Sequence, residues 1–429
     1  MSGCCSADIL VGYSVLAMEA ATGTQLDVRA DFPIFERLIN GRPIVYLDSA
    51  ATAQKPSSVL DAMDAYHRHH CASVHRGVYT LADEATDLFE GARARIAAFC
   101  GAETACTIFT RNATEAINLV AYAWGRDNLG PGDVVLVSTM EHHSNIVPWQ
   151  IACEDHGAEL RYLELHGEGT LALSELDSEL ASGRVRMAAF THVSNVLGTI
   201  NPVTEMVARA RAAGAATLID GSQAVPQMPV DFSAIGADFY AWTGHKALGP
   251  TGIGVLHGRR SVLEAMGPFN GGGHMIATVE RDRSTWSELP SKFEAGTSNV
   301  AEAIGLGAAI DYLAELGIER VREHELALTR YALGRLSELP WIRIFGPAVA
   351  EERGGVIAFE LEGMHPHDVA ELLNRHNVCV RAGHHFAKPL MTWLGVGATA
   401  RASFAPYNTR ADVDAFIDAL LDAHRVFFG

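Results

Sequence analysis

The sequence predicts an α/β protein: a large domain on a mostly parallel sheet, then a smaller α+β domain. From about residue 106, short apolar runs alternate with helix-length amphipathic stretches; after "FEAGTSN" at 293–299 the texture changes to long helices with a few scattered strands. Polar and titratable residues also fall just past the apolar runs, where open α/β sheets bind ligands.

Taken in order, residues 1–26 are expected to form a loose extension. Its apolar "ILVGYSVLAM" follows Asp8 and no basic residue, whereas a secretory signal begins cationic; it reads as a leader that is loose or packs on a neighbour. Asp27–Asn40 reads as a helix ended by Gly41 and Pro43, and the segment 27–45 is expected to pack with the small domain. The large domain is placed at 46–299. Its strand candidates are "CTIFT", "DVVLVST", "RMAAFTH", "ATLIDG", "DFYAWTG" and "GIGVLHG", and its helix candidates are "ATEAINLVAYAW", "NIVPWQIACEDHG" and "PVTEMVARARAAG". Such alternation indicates βα crossovers. The small domain, 300–429, opens with helical periodicity from Ala301 to Leu339. It continues with "WIRIFG", "GGVIAFEL", a helix near 366–376, "VCVRAG", "ARASFA" and a last helix from Arg410.

Composition narrows the function. With 429 residues, 48% apolar and 20% charged, the chain can bury a large core, as an ordinary globular enzyme does. A net charge of −18 repels phosphate backbones and anionic lipid, which argues against nucleic acid or a membrane surface as partner. No apolar run reaches the roughly 18–20 residues that span a bilayer. Seven cysteines, an odd number without a CxxC pair, point to a reducing, cytoplasmic compartment.

"YAWTGHKALGPTG" carries Lys246, one of four lysines, directly after an apolar strand. A desolvated lysine there has a lowered pKa and can form a Schiff base with an aldehyde; a solvated lysine in a turn has the same local sequence. Asp220 closes the strand of "TLIDGSQAV", where a buried carboxylate needs a cationic partner. Alone it more often reads as a helix cap or a metal ligand. A pyridinium nitrogen is another partner: at ~3 Å and an effective dielectric near 20 the pair gains about 5 kcal/mol, enough to keep the ring protonated. A protonated ring is the electron sink of pyridoxal phosphate (PLP) chemistry, and Asp220 and Lys246 stand 26 residues apart at two strand ends. In "TRNATEAINLV", Asn112, Ala113 and Thr114 open a helix whose N-terminus suits a phosphate, or simply carries an N-cap. His142 and His143 follow another strand; an imidazole there can stack on a pyridine ring. A metal would need a third ligand in register, HExxH is absent, and no metal is expected. Asn195 ends a further strand, and Arg381 and Arg401 flank apolar strands of the small domain, where a guanidinium fork suits a substrate carboxylate.

These residues sit in segments that resemble the Suf-type cysteine desulfurases and selenocysteine lyases, class V aminotransferases of PLP fold type I. The likeness runs from about Asp27 to Phe428 through "YLDSAATAQKP", "VHRGVYTLADEAT", "EHHSNIVPWQ", "THVSNVLGTINPV", "TGHKALGPTGIGVL", "GGGHMIATV", "FEAGTSN" and "ARASFAPYNT". It implies a seven-stranded, mainly parallel sheet flanked by helices and a homodimer with active sites at the interface. It also implies PLP on Lys246 as Schiff base, with Asp220 at the pyridine nitrogen, His142 stacked on the ring and Gln223 at the phenolic oxygen. Thr114 (with Ala113), Thr243 and His245 match phosphate ligands, and Thr297 one that reaches the phosphate of the other subunit. Asn195 and Arg401, with Arg381, match residues that hold the substrate carboxylate; His75 borders the site.

One position departs sharply. In "RAGHHFAKPLM" the family's persulfide-forming cysteine is replaced by Phe386; a benzene ring has no lone pair to attack sulfur. His384 and His385 read as inherited loop residues rather than a metal site. His274 in "GGGHMI" replaces a smaller or different polar residue. The expectation is therefore a PLP enzyme acting on an L-amino acid through a Schiff base and an α-carbanion without persulfide chemistry, favouring β-elimination or β-substitution on a sulfur- or selenium-bearing substrate. Alternatives are a cysteine desulfurase using another thiol such as Cys379, an aminotransferase or C–C bond-forming enzyme, and a silent partner in sulfur trafficking. A sulfur-acceptor protein is a doubtful partner without the cysteine.

Overall fold

The computed structural model describes residues 26–429; the expectation for the N-terminal extension, apart from Leu26, lies outside them. Seven strands form the central sheet: β1 (Thr107–Thr110), β2 (Val134–Ser138), β3 (Glu159–Leu163), β4 (Val185–Thr191), β5 (Ala216–Asp220), β6 (Phe239–Thr243) and β7 (Gly254–Gly258). Their order is β1-β7-β6-β5-β4-β2-β3, and β7 alone pairs antiparallel, with β6 and β1. The α/β class and mainly parallel seven-stranded sheet expected from the sequence are thus what the chain forms.

The strands read as unbroken apolar runs because both faces of the sheet are covered. Side chains alternate across the pleat. Val134, Leu136, Ala188, Phe190, Ile219, Tyr240 and Trp242 join the core on one face, while Val135, Val137, Met187, Ala189, Leu218, Phe239 and Ala241 join that on the other. With β1, β2, β4, β5 and β6 running the same way, Thr110, Ser138, Thr191, Asp220 and Thr243 end along one edge.

A second, antiparallel sheet of order β8-β9-β11-β10 consists of β8 (Ile342–Phe345), β9 (Val356–Leu361), β10 (Arg381–Gly383) and β11 (Thr399–Ser403). It shares a core with the helix Arg410–Phe428, which Thr409 and Asp412 start with a reciprocal capping box. Among the described residues no helix is long and apolar enough to cross a membrane.

Three local expectations need correction. Residues 27–40 form no continuous helix but two 3₁₀ turns, Arg29–Asp31 and Pro33–Glu36. Pro33 disfavours a helical conformation at Phe32, which is extended (φ −107°, ψ 98°). The chain then forms a tight hairpin, Leu38–Ile39 against Arg42–Pro43, over Asn40-Gly41, both at positive φ. The helical run after Ala301 is two helices, Val300–Leu316 and Ile318–Ser337, parted by Gly317 at φ +79°. "VCVRAG" also divides, with Val378–Cys379 pairing beside Val45–Tyr46 and only Arg381–Gly383 entering the sheet. Arg29 ties the N-terminal turns to Asp412 at 3.0 Å and to the carbonyl of Ile44.

Candidate active site

The strand ends open into a cavity of about 270 Å³. Asn112, Ala113 and Thr114 follow β1, His142 and Ser144 follow β2, and Val193 and Asn195 follow β4. Asp220 is the last residue of β5, and β6 delivers Thr243, His245 and Lys246; Arg381, His385, Phe386 and Arg401 close the cavity from the second sheet. Each side chain reaches the site because its strand stops there, so parallel topology brings residues distant in sequence to one point.

Lys246 is half-buried in the cavity wall, and desolvation lowers its pKa to about 8, against the pull of Asp220 in the opposite direction. Asp220 is 6% exposed and accepts the Ser222 N–H at 3.0 Å. Burial, with Lys246 nearby, drives the His142 imidazole down to about 3, so it is neutral; its Nδ1 accepts the Ser144 N–H at 3.1 Å. Thr114 Oγ1 and Ser144 Oγ lie 2.7 Å apart at the start of the helix Ala113–Leu119, capped by the Asn112 side chain. The first N–H groups of a helix have no intrahelical partner.

The arginines are paired differently from the expectation. Asp48, which sequence reasoning did not single out, takes the fork of Arg381 (2.8 and 3.1 Å) and Nη2 of Arg401 (3.3 Å). Two guanidiniums share one carboxylate, leaving one positive charge for an incoming anion. Arg401 also donates to the carbonyl of Asn195 at 2.8 Å, while Asn195 Nδ2 donates to the carbonyl of His385; Asn195 thus braces the loop as well as lining the cavity. Gln223 Nε2 donates to the Ala50 carbonyl at 2.8 Å.

A phosphorylated pyridine aldehyde fits this donor set. Three buried polar atoms on its lining residues, Thr243 Oγ1, His385 Nδ1 and Arg401 Nε, have no hydrogen-bond partner, and a buried group without a partner is costly unless a ligand supplies one. Thr114, Ser144, Thr243 and His245 could hold the phosphate, Asp220 the ring nitrogen and Lys246 the aldehyde carbon.

Three residues expected at the site do not line this cavity. His75 and His274 stack on one another (centroids 4.7 Å apart, 19° between planes), and His75 Nε2 bonds Glu90 at 2.8 Å. Glu90 draws His75 toward the helix Thr80–Phe99, and His274 follows by stacking. Thr297 lies in a separate depression with Arg111 and Glu115.

Phe386 stands at the cavity mouth, 53% exposed, its ring 5.3 Å from that of His142. His385 and Phe386 are both left-handed, at φ +50° and +58°, a sparsely populated conformation for residues with a side chain. The loop is nonetheless pinned: the His143 N–H donates to the Phe386 carbonyl at 2.7 Å, and the Lys388 N–H to His143 Nε2 at 3.0 Å. His384 Nδ1 accepts the Phe386 N–H, and His385 Nε2 bonds Thr399. Among the described residues no cysteine lines the cavity.

Buried imidazoles set the acid limit of the fold. Burial lowers His142, His257 and His385 to about 3 and His192 and His245 to about 4. An unfolded histidine titrates near ~6.5, so below that pH the unfolded chain binds more protons and each group removes up to about 1.4 kcal/mol per pH unit. Stability is then full above about pH 6.5 and lost as pH falls toward the folded values. Glu141, Glu325 and Asp412, raised mainly by burial, act in the opposite sense and are outnumbered. The thermal midpoint is expected to fall between pH 7 and pH 5; a midpoint that rises or stays level over that range contradicts this balance.

The aminotransferase class-V family matches residues 45–416. A cysteine desulfurase of Salmonella agona is 50% identical over 401 residues, covering 93% of this chain and 98% of that protein. The crystal structure of the cysteine desulfurase CsdA (S-sulfonic acid) from Escherichia coli superposes with a TM-score of 0.85 at 39% identity, over 93% of this chain and 98% of that one. The apo cysteine desulfurase from Thermococcus onnurineus gives 0.89 at 37%, with the same shares.

Proposed function

Because the chain belongs to the aminotransferase class-V family, we propose that it is a PLP-dependent enzyme of the Suf-type cysteine desulfurase kind. Its proposed substrate is an L-amino acid with sulfur or selenium on the β-carbon. The observation that carries this reading is Lys246, of lowered pKa, with Asp220 in one cavity beside an unpartnered Thr243 hydroxyl. When bound, PLP supplies the electron sink that lets bonds at the substrate's α-carbon break.

The side chains divide the work. With a pKa of about 8, Lys246 has an uncharged fraction near neutral pH and can take a proton from the α-carbon, as a general base should. Asp220 holds a proton at the pyridine nitrogen. His142, neutral, would lie against a bound ring without competing for its charge. Arg401, only partly neutralised by Asp48, orients the substrate carboxylate. We take 46–299 as the cofactor-binding domain and 300–429 as the domain that supplies Arg381 and Arg401. We also take the enzyme as a cytoplasmic homodimer, since the exposed depression around Thr297 could meet a second copy's phosphate.

The names of the relatives favour cysteine desulfuration over the persulfide-free reading, and that is the second reading carried here. Its chemistry needs a thiolate against the substrate sulfur. The nearest thiol on the small-domain side, Cys379, pairs with Tyr46 on the short strand and is held protonated by burial and by Asp48; it is not in the cavity lining. The cavity therefore favours elimination, L-cysteine plus water giving pyruvate, ammonium and sulfide. Desulfuration instead gives L-alanine and leaves sulfane sulfur on a thiol. With L-cysteine and PLP-loaded protein, pyruvate is expected as the main product, and Phe386→Cys is expected to shift products toward alanine by about tenfold or more, the nucleophile being what is missing. Alanine as the main product of the unaltered chain would establish desulfuration instead.

A further inference from the structure

Below the cavity floor lies a carboxyl to which none of the roles above has been given. Glu141, directly before His142, is fully buried, and the ends of two strands and one turn meet on it. Its Oε1 lies 2.5 Å from Ser138 Oγ at the end of β2 and accepts the Thr191 N–H at the end of β4, at 2.9 Å. Its Oε2 accepts Asn145 Nδ2 at 2.7 Å, and Asn145 Oδ1 accepts the Trp149 indole N–H at 3.0 Å. Among the described residues it has no ion-pair partner.

The directions of these bonds are fixed from both ends. An indole nitrogen only donates, so the Asn145 oxygen must face Trp149 and its NH₂ must face Glu141. The backbone N–H of Thr191 also only donates. Both oxygens of Glu141 thus receive protons they cannot return, and Ser138 is the one neighbour able to reverse its role. Burial, reinforced by nearby Asp220, pushes Glu141 up to about 8 despite these bonds, so its own proton can be placed only toward Ser138.

We infer that Glu141 is a positioning residue: it clamps the turn 142–145 to the ends of β2 and β4 and so sets the plane of the His142 imidazole over the cofactor, one strand from Asp220. The consequence for the cofactor rests on the reading above; the clamp itself does not. A glutamine cannot replace it, because its NH₂ would face either Thr191 N–H or Asn145 NH₂. Changing both partners restores the match. In Glu141→Gln/Asn145→Asp the glutamine oxygen accepts from Thr191 and its NH₂ donates to the new carboxyl at 145, whose other oxygen accepts from Trp149.

Two measurements test this on the full chain. In the cofactor-free protein, amide exchange of residues 142–145 is expected to quicken about tenfold in Glu141→Gln, the worth of one lost hydrogen bond, and to return toward the original in the double variant. In PLP-loaded protein, the visible circular dichroism of the bound cofactor is expected to change in Glu141→Gln and recover in the double variant at equal cofactor content. Unchanged exchange in the single variant, or no recovery in the double, overturns the clamp; unchanged dichroism overturns its hold on the imidazole. Expected exchange in a chain that takes up no PLP sustains the clamp and places the failure in the functional reading.

Discussion

Replacing Lys246 by alanine is expected to remove the absorbance band of the cofactor–lysine adduct from PLP-loaded protein, leaving that of the unreacted aldehyde, and to lower turnover by about 10²–10⁴, the worth of a positioned general base. The cause is local and chemical. The lysine is the one amine in the cavity lining, and burial keeps it near pKa 8 rather than its ordinary value. No neighbour can stand in: Arg401 and Arg381 stay protonated, and His142 is too weak a base at about 3. The variant should still retain the phosphate, because Thr114, Ser144 and Thr243 are untouched, so equilibrium dialysis should find PLP bound without the aldehyde adduct. Lys246→Arg should behave alike, since a guanidinium does not deprotonate in this range. The full adduct band and full turnover in both variants would remove Lys246 from the chemistry.

What the sequence disclosed and what it hid follow from one physical distinction. The strands were legible because two-sided burial leaves continuous apolar runs, and the strand-end residues were legible because parallel topology gathers them wherever they lie in the chain. Thr114, His142, Asp220, Thr243 and Lys246 reach one cavity by that route. Pairings across long separations were hidden. Asp48 reads as one acid in "YLDSAAT", and nothing local says that it will take two arginines more than 300 positions away. Glu141 reads as a polar loop residue beside two histidines; nothing local says that it will accept the Thr191 N–H from a strand 50 positions on. His75 and His274 were expected at the cavity because they neighbour site segments, whereas Glu90 draws the pair elsewhere. The N-terminal helix failed for a local reason, Pro33, that was present in the sequence.

The largest loss of stability from one side chain is expected in Glu294→Ala. Arg93, on the helix Thr80–Phe99, is 1% exposed; its Nη1 and Nη2 meet the two oxygens of Glu294 at 2.5 and 2.9 Å. The same guanidinium donates to the Thr107 carbonyl at the start of β1 and to Glu90, and lies 4.3 Å from the Phe109 ring centre. Glu294 also accepts the Phe109 N–H at 2.7 Å, so the pair pins the edge strand β1 between a helix and the loop before Val300–Leu316. Burial works against the arginine's charge, but Glu294 and Glu90 outweigh it and hold the proton more firmly than in water. Removing the carboxylate leaves the buried cation with Glu90 as its one acidic partner and strands an amide N–H, at a cost of about 3 kcal/mol. Removing both charges as Arg93→Met/Glu294→Gln is expected to cost much less, because a buried ion pair repays little more than its own desolvation. Urea unfolding of the three proteins gives the comparison: a double variant as unstable as Glu294→Ala would mean that the pair contributes net stability, and that its bidentate geometry, not the avoidance of a stranded charge, holds β1 in place.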